Sequence, residues 1–220
     1  MGLIELLFSN PLTFFIIFGI IVVSLSIHEF AHAWAADKLG DPTPRYQGRL
    51  TLNPLAHLDP LGTVLLVVLG FGWGKPVQID PFNLKNPTRD SALIAAAGPL
   101  SNILLACLFA VTFPLIYAFI GSSQILVNIQ TFLIFYNVML AVFNLVPVYP
   151  LDGSKIVLAL LPKRTAIEYD QIMSQYGLYI LLALLWRWGG QSPISLLISP
   201  VLSIVTQVLF GLSALILSLL

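Results

Sequence analysis

The sequence predicts an all-α polytopic membrane protein with about five transmembrane helices and a re-entrant, partly β segment near residues 60–80. Three observations carry that prediction. Of 220 residues, 58% are hydrophobic and only 9% charged, and mean hydropathy is +0.93. A soluble domain is about 25% charged, so this apolar excess needs lipid as its solvent. Second, uncharged stretches long enough to cross a bilayer recur along the chain. Third, the basic residues sort onto one membrane face only if the second apolar stretch turns back.

The elements follow in order. No charge occurs from Leu6 to Ile27, which predicts a first spanning helix over Pro11–Ala36. Its N-terminal flank is acidic (Glu5) and lacks a small-residue cleavage site, so it reads as a retained anchor rather than a signal peptide. Pro60–Gly74 is apolar but only 15 residues long. A helix of that length reaches about 22 Å against a hydrocarbon core of roughly 30 Å. Gly62, Gly70, Gly72 and Gly74 weaken it further, so it should dip in and return. The uncharged run Ser91–Leu151 crosses twice, with Gly121-Ser122-Ser123-Gln124 as the turn, giving helices at about 91–120 and 125–148. Beyond Asp170, Tyr176–Trp188 and Ile194–Leu220 predict one more hairpin, with Trp186, Arg187 and Trp188 at an interface. Nine of the ten basic residues then share one side: Lys38, Arg45, Arg49, Lys75, Lys85, Arg89, Lys155, Lys163 and Arg164, with Arg187 opposite. That bias puts the N-terminus outside and the shared side in the cytoplasm. Residues 1–220 are expected to form a single membrane-embedded domain. Zero net charge leaves no electrostatic footprint for nucleic acid. The lone Cys107 excludes an internal disulfide and reads as a small hydrophobe.

Chemistry concentrates at His28-Glu29-Phe30-Ala31-His32. Residues four apart share one helix face, so both imidazoles can reach one metal while Glu29 stands beside them. Two histidine nitrogens and a third ligand hold zinc with a fourth position open, and a nearby glutamate can accept a proton. The chain has only three histidines and three glutamates, so chance assembly of the motif is improbable. A packed polar patch at a helix end is disfavoured, because burying three ionisable groups in a membrane helix is costly. Candidates for the third ligand are His57, Asp59 and Asp152. Asp152 lies just past the third spanning helix, at the depth and on the side where the first helix ends. Around it, Asn144 to Gly153 contains two prolines and a glycine, predicting irregular backbone of a kind tolerated at membrane depth only beside protein or a water-filled cavity. The alternative for Asp152 is capping of a helix starting near Ser154.

His28–His32 together with Asn144-x-x-Pro147-x-x-Pro150-x-Asp152-Gly153 resembles the site-2 protease family of intramembrane metalloproteases, peptidase family M50. The stretch Gly40–Thr63 and Ala97-Gly98-Pro99-Leu100-Ser101-Asn102 look like its compact bacterial and archaeal branch, and no PDZ or CBS domain is expected. The resemblance covers about Ser24–Lys155. It implies one Zn2+ held by His28, His32 and Asp152, with Glu29 as catalytic base and Asn144 binding substrate or the oxyanion. It further implies cleavage within or near transmembrane segments of single-span membrane proteins, such as an anchored anti-sigma factor or a remnant signal peptide. The active site is expected nearer the cytoplasmic side.

Other polar residues have simpler readings. Asn102, Gly98 and Ser101 fit close helix packing. His57 reads as a surface or interfacial histidine and Asp59 as a cap or turn former. Glu5, Asp37, Asp41, Asp80, Asp90, Glu168 and Asp170 read as solvated charges. The alternation in Phe71–Ile79 predicts a strand able to hold an unwound substrate. A zinc transporter is the rival class; Glu29 is superfluous there, and no paired repeats are visible.

Overall fold

In the computed structural model, which describes residues 3–187 and 189–220, helices form where apolar runs allow and stop where glycine or proline intervenes. Helix α1 (Leu3–Ser9) gives way at Asn10, whose side chain caps α2 (Pro11–Leu39) by accepting from Thr13 N–H. Gly40 ends α2 in the left-handed region at φ 112°, a conformation that favours glycine. A short α3 (Thr43–Tyr46) and then α4 (Pro60–Leu69) follow. Asp59 caps α4 through Gly62 N–H, as its position before Pro60 suggested. Then come α5 (Pro87–Ile120), α6 (Gln124–Asn144), α7 (Asp152–Leu160), α8 (Lys163–Leu185) and α9 (Pro193–Leu219).

Helices α2, α5, α6 and α9 are long and apolar enough to cross a membrane. The chain is an all-helical, polytopic integral membrane protein. Its packing is inverted relative to a soluble protein. On α5, the stripe Gly98, Asn102, Ala106 and Ala110 is buried, while Leu100, Leu104 and Leu108 are more than half exposed. Small residues let helices approach closely where lipid supplies no drive for large side chains to hide. Ala106 and Ala110 meet Ile134 and Val138 of α6 and Leu209 of α9.

Several expectations are corrected. The third spanning helix stops at Asn144 rather than 148, since Pro147 and Pro150 lie just beyond it. The hairpin's first arm is longer than its apolar part: α8 begins at Lys163 and carries Glu168 and Asp170 on its first, solvent-facing half. Charge gaps register only the hydrophobic half of such a helix. Trp188 lies outside the described residues.

The segment near residues 60–80 is a ten-residue helix followed by backbone in neither helix nor strand. At about 15 Å, α4 is too short to span the bilayer. The described residues contain no strand, and the expected β character reduces to one antiparallel bridge, Leu58 to Gly74. The glycines serve close approach rather than only weakening a helix. A Cβ on Gly72 would collide with Gly62 O, and one on Gly74 would lie 3.1 Å from His57 O.

The segment after α4 is tied down at both ends. Lys75 N–H donates to His57 O at 2.8 Å, and the buried Arg49 donates to the carbonyls of Ala56 and Lys75. At the other end, Asp41 accepts from Asp80 N–H at 2.8 Å and Asn83 Nδ2 at 3.0 Å. Asp41 is therefore wholly buried, not solvated as its loop position suggested, and Asp90 is likewise buried, accepting from Asn86 N–H. Both carboxylates satisfy backbone donors that tight loops leave unpaired.

Candidate metal centre

Helix α2 presents His28 and His32 one turn apart on its inner face, both buried. Asp152 reaches them from the first turn of α7. The chain between α6 and α7 makes this approach possible: it leaves the helix at Asn144 and runs irregularly through Pro147 and Pro150. Gly153 then packs so tightly that a Cβ there would overlap Leu145 O. Asp152 does not cap its own helix, for Leu151 occupies the N-cap position and no side chain caps α7. Its carboxylate turns to the histidines instead.

The resulting triangle is nearly equilateral. His28 Nε2 and His32 Nε2 are 3.0 Å apart, and each is 3.2 Å from Asp152 Oδ2. Donors bound about 2.0–2.1 Å from one tetrahedral zinc lie about 3.3 Å from each other, so this donor set fits zinc in spacing and in type. Among the described residues, these three form the one cluster of His, Cys, Asp or Glu side chains so arranged. Both histidines offer Nε2 because Nδ1 is engaged behind it, with Asn102 Oδ1 at 2.6 Å for His28 and Ile94 O at 2.7 Å for His32.

The triangle opens on a cavity of about 590 Å³, mostly apolar, which Glu29 and Asn144 also line. Glu29 Oε2 accepts from Val77 N–H of the segment after α4 at 3.2 Å. Asn144 Nδ2 donates to Leu140 O at 2.9 Å, which fixes the amide on its helix and leaves its second N–H available. The far wall comes from Phe71–Val77 and from Leu178, Leu181, Leu182 and Leu185 of α8.

Thus His28, His32, Asp152, Glu29 and Asn144, separated by up to 124 positions, share one cavity. His57 and Asp59 stand apart from the triangle. His57 is completely buried rather than interfacial, with Nε2 2.7 Å from Thr51 O, because loop 49–58 folds over it. Sequence reasoning missed three contributors: the Ile94 carbonyl, Asn137 behind Asn102, and the role of Gly98. The Ile94 carbonyl leaves no sequence signal at all. Gly98 had one, lying in the same short motif as Asn102. A Cβ on Gly98 would sit 2.6 Å from His28 Nε2 and closer still to His32 Nε2, so only glycine leaves room for the donor atoms.

Two histidines and a carboxylate converge inside a membrane-embedded helical bundle, with a glutamate on the same cavity, a donor set of the kind that metallohydrolases use. The model of peptidase family M50 matches residues 117–186. The putative zinc metalloprotease YwhC of Bacillus subtilis is 40% identical over 171 residues, which is 74% of this chain and 77% of YwhC. The putative zinc metalloprotease Rip2 of Mycolicibacterium smegmatis is 33% identical over 66% of this chain and 58% of its own length. The zinc metalloprotease MJ0392 of Methanocaldococcus jannaschii is 26% identical over 71% of this chain, and the chain spans 37% of it. No solved structure matches. The chain belongs to peptidase family M50, the site-2 proteases: it is a zinc metalloprotease that cuts within or near membrane-embedded segments.

Gly98→Ala tests the cradle. The added methyl should displace a histidine and lower zinc content to well below one per chain while helical content stays unchanged, measured by metal analysis and circular dichroism on purified protein. Full zinc occupancy would mean that the helix pair can open to admit a methyl.

Proposed function

We propose that residues 1–220 form one catalytic domain in which His28, His32 and Asp152 hold zinc and Glu29 is the general base. In this reading Asn144 binds the scissile carbonyl. The near-equilateral triangle of Nε2, Nε2 and Oδ2 carries this reading. When bound, zinc supplies Lewis acidity for hydrolysis. Glu29 takes a proton from the attacking water and returns it to the leaving amine. Its carboxylate lines the cavity and is held for that task by Val77 N–H at Oε2. The spare N–H of Asn144 donates to the substrate carbonyl oxygen as negative charge develops there. No acyl-enzyme is needed, hence no serine or cysteine nucleophile.

The substrate in this reading is a single-span membrane protein, such as an anchored anti-sigma factor or a remnant signal peptide, unwound over the cut site. A helix hides its peptide bonds in its own ladder, so the substrate must be extended. Residues 76–79 support this: they belong to no helix or strand, make no backbone-to-backbone bond among the described residues, and border the cavity through Pro76, Val77 and Ile79. They are a re-entrant edge awaiting a strand from outside. Nine basic residues near the helix ends at the metal-centre side support a cytoplasmic location for the site and an external N-terminus. Helix α8, 23 residues long, is the fifth membrane helix in this topology.

Cleavage of a generic single-span substrate by detergent-purified protein tests the assignment. Glu29→Gln should keep one zinc and lose about 10²–10⁴-fold in rate. Asp152→Asn should lose both zinc and cleavage. A Glu29→Gln protein that still cuts would remove Glu29 from the reaction, whereas zinc binding without cleavage by the wild type would favour a transporter-like metal site.

The edge is tested separately. Val77→Pro deletes the N–H that holds Glu29, and Ile79→Pro stiffens the segment without touching Glu29. Both should slow cleavage with zinc content unchanged. Wild-type rates for Ile79→Pro would exclude substrate pairing along this edge.

A further inference from the structure

Behind the metal centre lies a run of buried amides that the chemistry above does not use. Asn102 on α5 and Asn137 on α6 are both entirely buried, deep in the bundle where a lone polar side chain is costly. Asn102 Oδ1 is 2.6 Å from His28 Nδ1. Its Nδ2 is 3.2 Å from Ser24 O and 3.0 Å from Asn137 Oδ1. Asn137 Nδ2 in turn donates to Leu133 O at 2.8 Å.

The proton positions follow by counting. Leu133 O and Ser24 O are backbone carbonyls and can only accept. The end of Asn137 facing Leu133 is therefore its NH2, which leaves Asn137 Oδ1 as an acceptor toward Asn102. The end of Asn102 facing both Ser24 O and Asn137 Oδ1 must then be its NH2, with both hydrogens spent. Only Asn102 Oδ1 remains to face His28, and an amide oxygen can only accept. His28 Nδ1 must carry the proton, so the lone pair of the neutral ring stands on Nε2, the corner of the triangle shared with His32 and Asp152. The same logic holds for His32, where Ile94 O accepts from Nδ1 at 2.7 Å.

We propose that Asn102 is a positioning residue that fixes the tautomer and ring orientation of His28 for metal binding, with Asn137 holding Asn102 the right way round. This rests on His28 being a zinc ligand, as proposed above. Second partners of this kind typically change metal affinity 10–100-fold when removed. A purely structural amide linking helices would not. Gln130 provides that comparison, since it is a buried amide on α6 that donates to Ser213 of α9 at 2.9 Å and does not line the metal-centre cavity.

The test is zinc affinity by chelator competition on the full chain in detergent, with wild type, Asn102→Leu, Asn102→Asp, Asn137→Leu and Gln130→Leu compared. Asn102→Leu should bind zinc about 10–100-fold more weakly. Asn102→Asp retains an acceptor at Nδ1 but gives up the N–H donors to Ser24 O and Asn137 Oδ1, so it should recover only part of the affinity. Asn137→Leu should give a smaller loss, and Gln130→Leu none. Nitrogen-15 spectra of the ring in metal-free protein should show His28 protonated at Nδ1 in wild type and a mixture of tautomers in Asn102→Leu. Equal zinc affinity in wild type and Asn102→Leu, or a loss matched by Gln130→Leu, would overturn the positioning role while leaving the ligand assignment intact. Should Asn102→Leu fail to fold, unchanged affinity in Asn137→Leu overturns it equally. Absence of zinc binding by the wild type would instead overturn the ligand assignment itself, and this proposal with it.

Discussion

A polar group placed at membrane depth must be answered by the chain or by water in a protein-lined cavity, so the groups around the metal centre that turn away from the cavity are met from within the chain. Much of the architecture follows from that constraint. Two imidazoles, a carboxylate and a glutamate enter the bundle together, and each is met by a specific group: Asn102, Ile94 O, the partner ligands, or Val77 N–H. Those groups come from α5, α7 and the segment after α4, which fixes how these elements stand against α2. On α5 the buried stripe runs through glycine, asparagine and alanine, while Leu100, Leu104 and Leu108 face outward.

Local breaks in regular structure are confined to the places where the site needs them. Between Asn144 and Asp152 the helix is interrupted, which lets a carboxylate point sideways into the bundle from a helix's first turn. Between Gly70 and Asp80 the chain leaves regular structure, held by Arg49 and His57 O at one end and Asp41 at the other. Both breaks border the same cavity. Elsewhere the bundle keeps its backbone satisfied in helices, as lipid exposure demands.

Much of this was legible in the sequence because charges are so scarce that their gaps draw the helices. Pro11 and Ile120 are helix ends in both readings. The spacing of His28 and His32 fixes their shared face on any helix, so that half of the site needed no tertiary information. Asp152 was harder, since its role depends on a chain path that only folding sets; depth and side brought it into view, and family resemblance singled it out. What stayed hidden has a common physical cause. Ile94 contributes a backbone carbonyl, which every residue owns. Asn137 acts through Asn102, and the burial of Asp41 and His57 depends on loops closing over them. Hydropathy treats α8 as a short arm because half of that helix is charged and exposed. The strand expected from alternation at residues 71–79 has no neighbouring strand among the described residues, so the alternation alone does not make a sheet.

The proposed zinc centre joins two histidines of α2 to one aspartate of α7 inside the membrane. X-ray absorption at the zinc edge on the detergent-purified protein tests it most directly. The prediction is one zinc per chain with an all-nitrogen-and-oxygen shell at about 2.0–2.1 Å, containing two imidazoles. A sulfur neighbour at about 2.3 Å, which could come only from Cys107 or a methionine, or a shell with fewer than two imidazoles, would contradict it.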